Sequence, residues 1–401
     1  MRCVAPEEPH VRRRCLTGER GLNVMREGKY EVARRASFWP QVPARNALVL
    51  VLVALSLAFA AAPIADDASA SYACEFLEGY VPVDVAVRAD GVMFVALASR
   101  VEVNSGAVFR IDEDGTCVWV GSAHFGIDVD EFGAPCGVEF RIRAPAGDWF
   151  LPPAYVRCYP QADSWGPRAL SDRGWSRESI VLVQVPGSLS GVNANTFGVH
   201  YSAGVYWAGV WYRTSREDHP GPTGAVETPL TNAYLVGVRE IAGREGVDEL
   251  QMRRVVPAEV TQRIEVTPWA PHYITSLEDG TLVVSALLTP WFASWHSPKG
   301  EVMTTSGPGA LLLVSVAGDV RVLSEEFVYP SGVLVVDGVI YVADRVTGEI
   351  HRHAVSGERL CSFGGLDEPM GLARLPNGDI CVAETGAGRV LCLPSYVVDG
   401  E

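Results

Sequence analysis

Tyr329 to Asp344 reads YPSGVLVVDGVIYVAD, and Glu368 to Glu384 repeats its plan as EPMGLARLPNGDICVAE. Each copy opens on Pro-x-Gly-apolar, turns at Asp-Gly or Asn-Gly, and closes on a β-branched run ending in Val-Ala-Asp or Val-Ala-Glu. Two short β-prone runs joined by such a dipeptide form a hairpin. Repetition at a few tens of residues implies an array of small units, none able to bury its apolar faces alone.

Working outward, the apolar column after the Pro-x-Gly element falls at Val85, Val138, Val199, Ile274, Val333 and Leu372, which predicts six units. A second run follows each: VMFVAL from Val92, DWFLPP from Asp148, VYWAGVWY from Val205, TLVVSALL from Thr281, VIYVAD from Val339 and DICVAE from Asp379. Third runs come next (AVFRID, IVLVQV, AYLVGV, ALLLVS, EIHRHA, RVLCLP), and in four units a fourth (TCVWVG, ELQMRRV, DVRVLS, ERLCSF). Four short antiparallel strands per unit make a propeller blade. The expected fold is all-β, a six-bladed β-propeller over residues 71–401. The sixth unit lacks a clear fourth run, so the segment from Tyr72 to Gly79 (YACEFLEG) is expected to supply it and close the ring.

Residues 1–46 form a leader with 10 basic and 5 acidic side chains, and residues 47–70 hold the uncharged run Ala47 to Ala65 (ALVLVLVALSLAFAAAPIA). A basic flank before such a run reads as an export signal, cut near Ala68-Ser69-Ala70, or as a retained membrane anchor. Either way the propeller is expected to be extracytoplasmic. Residues 71–401 carry a charge near −18, which disfavours nucleic acid as a partner and leaves the N-terminal segment as the sole expected membrane contact.

Seven cysteines lie beyond the leader: Cys74, Cys117, Cys136, Cys158, Cys361, Cys381 and Cys392. An oxidising compartment permits bridges, and an odd number leaves one thiol over. Cys136–Cys158 and Cys74–Cys392 are candidate pairs, with Cys381 competing for Cys392 across its hairpin.

The repeats resemble NHL repeats and related six-bladed propellers, including SMP-30/gluconolactonase-like and strictosidine-synthase-like proteins; the match is good over Tyr329 to Pro394 and fair over Val81 to Gly121. The resemblance implies a ring of side chains at the channel mouth: Val83, Cys136, Phe197, His272, Ser331 and Met370. Zinc-binding relatives place several histidines there, and this chain has His272 alone. Gluconolactonase-like enzymes hold a divalent cation with Glu, Asn and Asp, and Ser331-Gly332 departs from their Asn-Gly. Asp344 and Glu384, ending second strands, could ligate calcium or cap their own turns. His272, Asp344 and Glu384 are therefore the candidate catalytic residues.

Long excursions between second and third strands (about 154–178, 213–231 and 290–308) share the mouth face and are rich in aromatics. Trp165, Trp175, Trp211, Tyr212, Trp291 and Trp295 are the candidate ligand-binding residues, suited to stacking a small molecule or a protein partner. His351 and His353 share a strand face, and His200 shares a register with Glu139 as a candidate acid–base pair. No phosphate loop, H-E-x-x-H or G-x-S-x-G occurs. The expectation is a binding scaffold, with a calcium-dependent lactonase or esterase as rival. More distant is a quinone-dependent sugar dehydrogenase, for which Arg157, Arg168, Arg173 and Arg213 are the basic loop candidates.

Overall fold

The computed structural model describes residues 70–72, 79–100, 106–112, 115–121, 125–139, 155–159, 181–184, 193–213, 230–240, 254–256, 258–288, 309–394 and 398. The leader, the apolar segment, Cys74 and most of the long excursions lie outside them. After β1 (Ala70–Tyr72), the first sheet comprises β2 (Tyr80–Val87), β3 (Met93–Ser99), β4 (Gly106–Ile111) and β5 (Cys117–Gly121). The second comprises β6 (Phe125–Val129), β7 (Pro135–Glu139), β8 (Tyr155–Cys158) and β9 (Val181–Gln184); the third comprises β10 (Asn193–Ser202), β11 (Val205–Arg213) and β12 (Leu230–Glu240). Next come β13 (Arg254–Val256), which joins the second sheet, and β14 (Ala258–Glu265), which completes the third. The fourth sheet is β15 (Ala270–Ser276), β16 (Leu282–Leu287), β17 (Gly309–Val314) and β18 (Val320–Phe327), and the fifth is β19 (Pro330–Val336), β20 (Val339–Asp344), β21 (Glu349–Ala354) and β22 (Arg359–Gly364). The last holds β23 (Pro369–Arg374), β24 (Ile380–Glu384) and β25 (Arg389–Leu393), with β1 at its edge.

The innermost strands β2, β6, β10, β15, β19 and β23 each pack against the next, and β23 returns to β2. The fold is an all-β propeller. Six uniform blades are not what the pairing gives: five sheets are regular and four-stranded, and the second has five strands, with β13 parallel to β9. The hairpins follow from turn chemistry. Asp337 and Gly338 both take positive φ (50° and 78°), as a two-residue turn between β19 and β20 requires.

The register of the second sheet corrects the sequence reading. Pro135-Cys136-Gly137-Val138 mimics an inner-strand start but lies in β7, the second strand. The true inner strand is β6, FGIDV, which has no proline before its glycine. IVLVQV is consequently a fourth strand rather than a third, so the excursion holding Trp165 and Trp175 joins the third strand to the fourth instead of the second to the third; DWFLPP is outside the described residues, and ELQMRRV gives way to β14 as the outer strand of the third sheet.

Each blade is apolar on both faces because each is sandwiched between neighbours. Thus Val95, Leu97, Leu311, Leu312, Ile340 and Val382 are all inaccessible to solvent. Closure is as expected in kind, starting two residues earlier than expected: Ala70, Ser71 and Tyr72 pair antiparallel with Cys392, Leu391 and Val390. Removing residues 1–72 would expose the β25 edge. The expected cost is roughly 2 kcal/mol, read as a lower Tm in a thermal melt. An unchanged Tm would show that β1 is dispensable.

Two bridges join facing residues of adjacent strands. Cys136–Cys158 links β7 to β8, as expected, and Cys381–Cys392 links β24 to β25. The second corrects the Cys74–Cys392 pairing, because Cys381 stands directly opposite Cys392 in the same hairpin. Cys117 is also disulfide-bonded, and Cys361 is a free thiol.

Candidate functional site

The inner strands start at the channel mouth, so the residue after each proline faces the neighbouring blade. His272 lies between Pro271 and Tyr273 on β15, and its Nδ1 donates to the carbonyl of Pro330 on β19 (3.2 Å). Ser331 repeats the arrangement one blade on, its Oγ within hydrogen-bond distance of the Ala343 (3.0 Å) and Pro369 (2.9 Å) carbonyls. Thr385 Oγ1 donates to Pro82 O of the first sheet (2.7 Å). A polar side chain thus clasps the proline carbonyl of the next blade at three successive joints.

Burial, and then the nearby Arg345 charge, push the His272 imidazole down to about 4, against the opposing pull of its bond to Pro330. The ring is neutral at physiological pH. Tyr273 and Tyr329 meet it edge-on, with centroids 4.9 and 5.5 Å away. Arg345 is itself buried, bonded to Glu368 (2.6 Å), with its guanidinium 5.7 Å from the centre of the Tyr329 ring.

The two candidate carboxylates are committed to backbone. Asp344 accepts from the N–H groups of Val328 (2.7 Å), Tyr329 (3.1 Å), Val346 (3.2 Å) and Thr347 (3.4 Å). Glu384 accepts from Asp367 N–H (2.9 Å) and pairs with Arg389 (2.6 Å). The expected capping of its own turn is observed for Asp344, whereas Glu384 ties the segment before β23 to Arg389. His272 and Asp344 converge on the same blade joint, since Asp344 pairs with Pro330, while Glu384 sits one blade on, opposite Pro369.

A calcium ion of the kind that the gluconolactonase resemblance implies needs several oxygens turned towards one point. Here the carboxylates face backbone N–H groups, and Ser331, at the Asn position, faces carbonyls. That donor set does not fit the cation. Among the described residues, the one convergent group of metal-ligand types is Asp130, Cys136 and Cys158, and its two sulfurs are spent on their own disulfide. His351 and His353 are buried on β21 with Phe327 against both rings (5.4 Å), and burial lowers both from their ordinary value.

Two residues that sequence reading placed in the glycine column, without assigning them a role, bring buried side chains to the channel, and one of them spans it. Tyr273 crosses it from the fourth sheet to the first, its hydroxyl donating to Val83 O (2.7 Å). Asp84, on β2, accepts from the N–H groups of Val85 (2.9 Å) and of Ile127 (2.8 Å) on β6. The signal was present: where the other aligned strands carry glycine, these two carry side chains.

With β6 as the inner strand, the mouth ring loses Cys136, and the partner of His200 becomes Asp128 instead of Glu139. His200 Nδ1 lies 2.8 Å from Asp128 Oδ2. Of the aromatic candidates, Trp165, Trp175, Trp291 and Trp295 fall outside the described residues. Trp211 and Tyr212 belong to β11, where only their backbone is described.

No known protein family matches the chain, and no curated protein does. Among solved structures it is similar to a streptogramin B lyase (10% identity over 81% of this chain and 96% of that one, TM-score 0.43). It is also similar to a gluconolactonase from Xanthomonas campestris (15%, 79% and 86%, TM-score 0.44) and to a putative gluconolactonase (12%, 82% and 93%, TM-score 0.44).

Proposed function

We propose that the protein is an extracytoplasmic binding propeller that holds a small molecule or a protein partner on its loop-rich face. The observation that carries this reading is the employment of the mouth residues. His272, Ser331 and Thr385 clasp proline carbonyls, Asp344 caps its turn, Glu384 is held by Asp367 N–H and Arg389, and Tyr273 closes the channel beneath them. Such a mouth is a rigid platform, and specificity then belongs to the loops around it. The aromatics Trp211, Tyr212, Trp291 and Trp295 are the proposed contact residues, while Trp165 and Trp175 drop out because their segment joins a third strand to a fourth. The irregular second sheet serves as the sixth blade in this reading, and the export segment delivers the propeller across the membrane.

The rival, a calcium-dependent lactonase or esterase built on His272, Asp344 and Glu384, differs in its need for metal. Purified full-length protein is expected to carry no stoichiometric calcium and to keep its Tm when a chelator is added. One calcium per chain, with a Tm drop on chelation, would overturn the scaffold reading. For the scaffold itself, trimming residues 290–307, between the second and third strands of the fourth sheet, is expected to abolish partner capture without changing the Tm. Capture that survives would place the binding surface elsewhere.

A further inference from the structure

The inner strands end at the opposite mouth of the channel, where the first strand of each sheet turns into the second. Three consecutive blades place polar side chains there. Asp128 is the penultimate residue of β6, His200 lies two before the end of β10, and Ser276 is the last of β15. Asp128 Oδ2 is 2.8 Å from His200 Nδ1, and His200 Nε2 is 2.9 Å from Ser276 Oγ.

Asp128 is fixed by two backbone groups. Tyr201 N–H donates to Oδ2 (2.7 Å) and Val129 N–H to Oδ1 (2.8 Å). The carboxylate therefore orients the imidazole, with Nδ1–H donating to Asp128 and Nε2 facing the hydroxyl. Ser202 Oγ stands 3.3 Å from Ser276 Oγ, a second hydroxyl beside the first. The His200 and Asp128 side chains remain 15% and 28% exposed, so the group is reached from solvent at this end. From the other mouth, Tyr273 blocks the way. A carboxylate, an imidazole and a hydroxyl in hydrogen-bonded series are the parts of a nucleophilic serine, recognised by geometry and not by order in the chain.

We infer that Asp128, His200 and Ser276 form an acyl-transfer site that hydrolyses small carboxylic esters at the turn end of the channel. Ser276 Oγ attacks the ester carbonyl carbon while its proton passes to His200 Nε2. The carbon–oxygen bond to the alcohol breaks, and the alkoxide takes that proton. Water then attacks the acyl-serine and gives a proton to His200. The acyl–Oγ bond breaks, Ser276 recovers the proton, and the carboxylic acid leaves. His200 and Ser276 are catalytic residues, Asp128 is a positioning residue, and the Ser202 hydroxyl lies where it can donate to the developing oxyanion. Exposed Phe132, on the β6–β7 turn at the same end, favours an apolar acyl group.

The test is full-length protein with a fluorophosphonate probe, the adduct located by peptide mass spectrometry, alongside p-nitrophenyl acetate hydrolysis. One adduct on Ser276 is expected, absent in Ser276→Ala and slowed about 100-fold or more in His200→Ala. Asp128→Asn is expected to lower kcat with little change in KM. If His200→Ala fails to fold, wild type against Ser276→Ala still decides. No adduct in folded wild type, or one that persists in Ser276→Ala, overturns the inference. Because the site lies at the far end from the proposed binding face, trimming residues 290–307, which join the second and third strands of the fourth sheet, is expected to leave labelling intact, which separates the two readings.

Discussion

Gly332→Ala is expected to leave no folded protein, whereas Gly338→Ala, six residues away, is expected to cost about 1 kcal/mol. The two glycines are required for different reasons. Gly338 sits in the β19–β20 turn with φ at 78° and nothing within 4 Å of an added Cβ, so alanine there meets only intrinsic backbone strain. Gly332 needs no unusual φ. Its missing side chain leaves room for the neighbouring blade: an added Cβ would overlap the carbonyl oxygen of Met370 and lie 2.9 Å from both Gly371 Cα and Leu372 N. All three obstacles are backbone atoms of β23, so no rotamer change relieves the clash and the blades would have to part. Overpacking that cannot relax exceeds about 4 kcal/mol, a large fraction of a domain's stability. Gly371 meets Asp84 and Val85 in the same way, and Gly198 meets His272 and Tyr273. Far-UV circular dichroism and a thermal melt of the two variants check this. A Gly332→Ala protein melting within a few degrees of wild type would show that the blades are looser than their spacing.

This blade spacing explains how much of the fold could be read in advance. The Pro-x-Gly-apolar element is legible because close packing around a narrow channel forces it, and the Asp337-Gly338 turn because few residues accept two positive φ values. What misled was the use of the same letters for another purpose. Pro135-Cys136-Gly137-Val138 satisfies the pattern in a second strand, while Gly126, in the β6 strand that packs on the ring, lacks the proline. The slip moved Glu139 into the place of Asp128 and hid the hydrogen bond to His200. Ser276 was beyond reach for another reason, since it meets His200 through the curvature of adjacent blades, and spacing within one repeat says nothing of that. At the mouth, the residue positions were readable and their employment was not. His272 reads as a lone imidazole in a metal-site register, and only the Pro330 carbonyl beside it reveals the clasp.

Stability is expected to fall as the pH rises from about 7 to 8, because of Asp84. Burial drives its carboxyl from 3.8 up to about 8, overcoming the two backbone N–H bonds that favour the ionised form, and the nearby Asp128 pushes the same way. Between those two pKa values the folded chain holds a proton that the unfolded chain has released. The derivative of unfolding free energy with pH is then negative: the stability is fully present below about 4 and is lost progressively as the pH climbs through about 8. At about 1.4 kcal/mol per pH unit, the loss amounts to about 6 kcal/mol over the whole range. His272 and His351, lowered from 6.5 to about 4, act in the opposite sense, their contribution being present above 6.5 and lost as the pH falls towards 4. The two effects oppose each other between pH 4 and 6.5, which flattens the acid side. Above 7 these histidines are neutral in both states, and Tyr273 and Tyr329 are held above their ordinary value of 10, leaving Asp84 to set the slope. About 1 kcal/mol should disappear between pH 7 and 8, read as a Tm lower by a few degrees. Asp84→Asn carries no proton to lose and is expected to melt at the same temperature at both values, whatever its absolute stability. A wild-type Tm that holds steady or rises over that interval would mean that Asp84 is ionised in the fold. The channel would then have to enclose a bare carboxylate beside the Tyr273 hydroxyl.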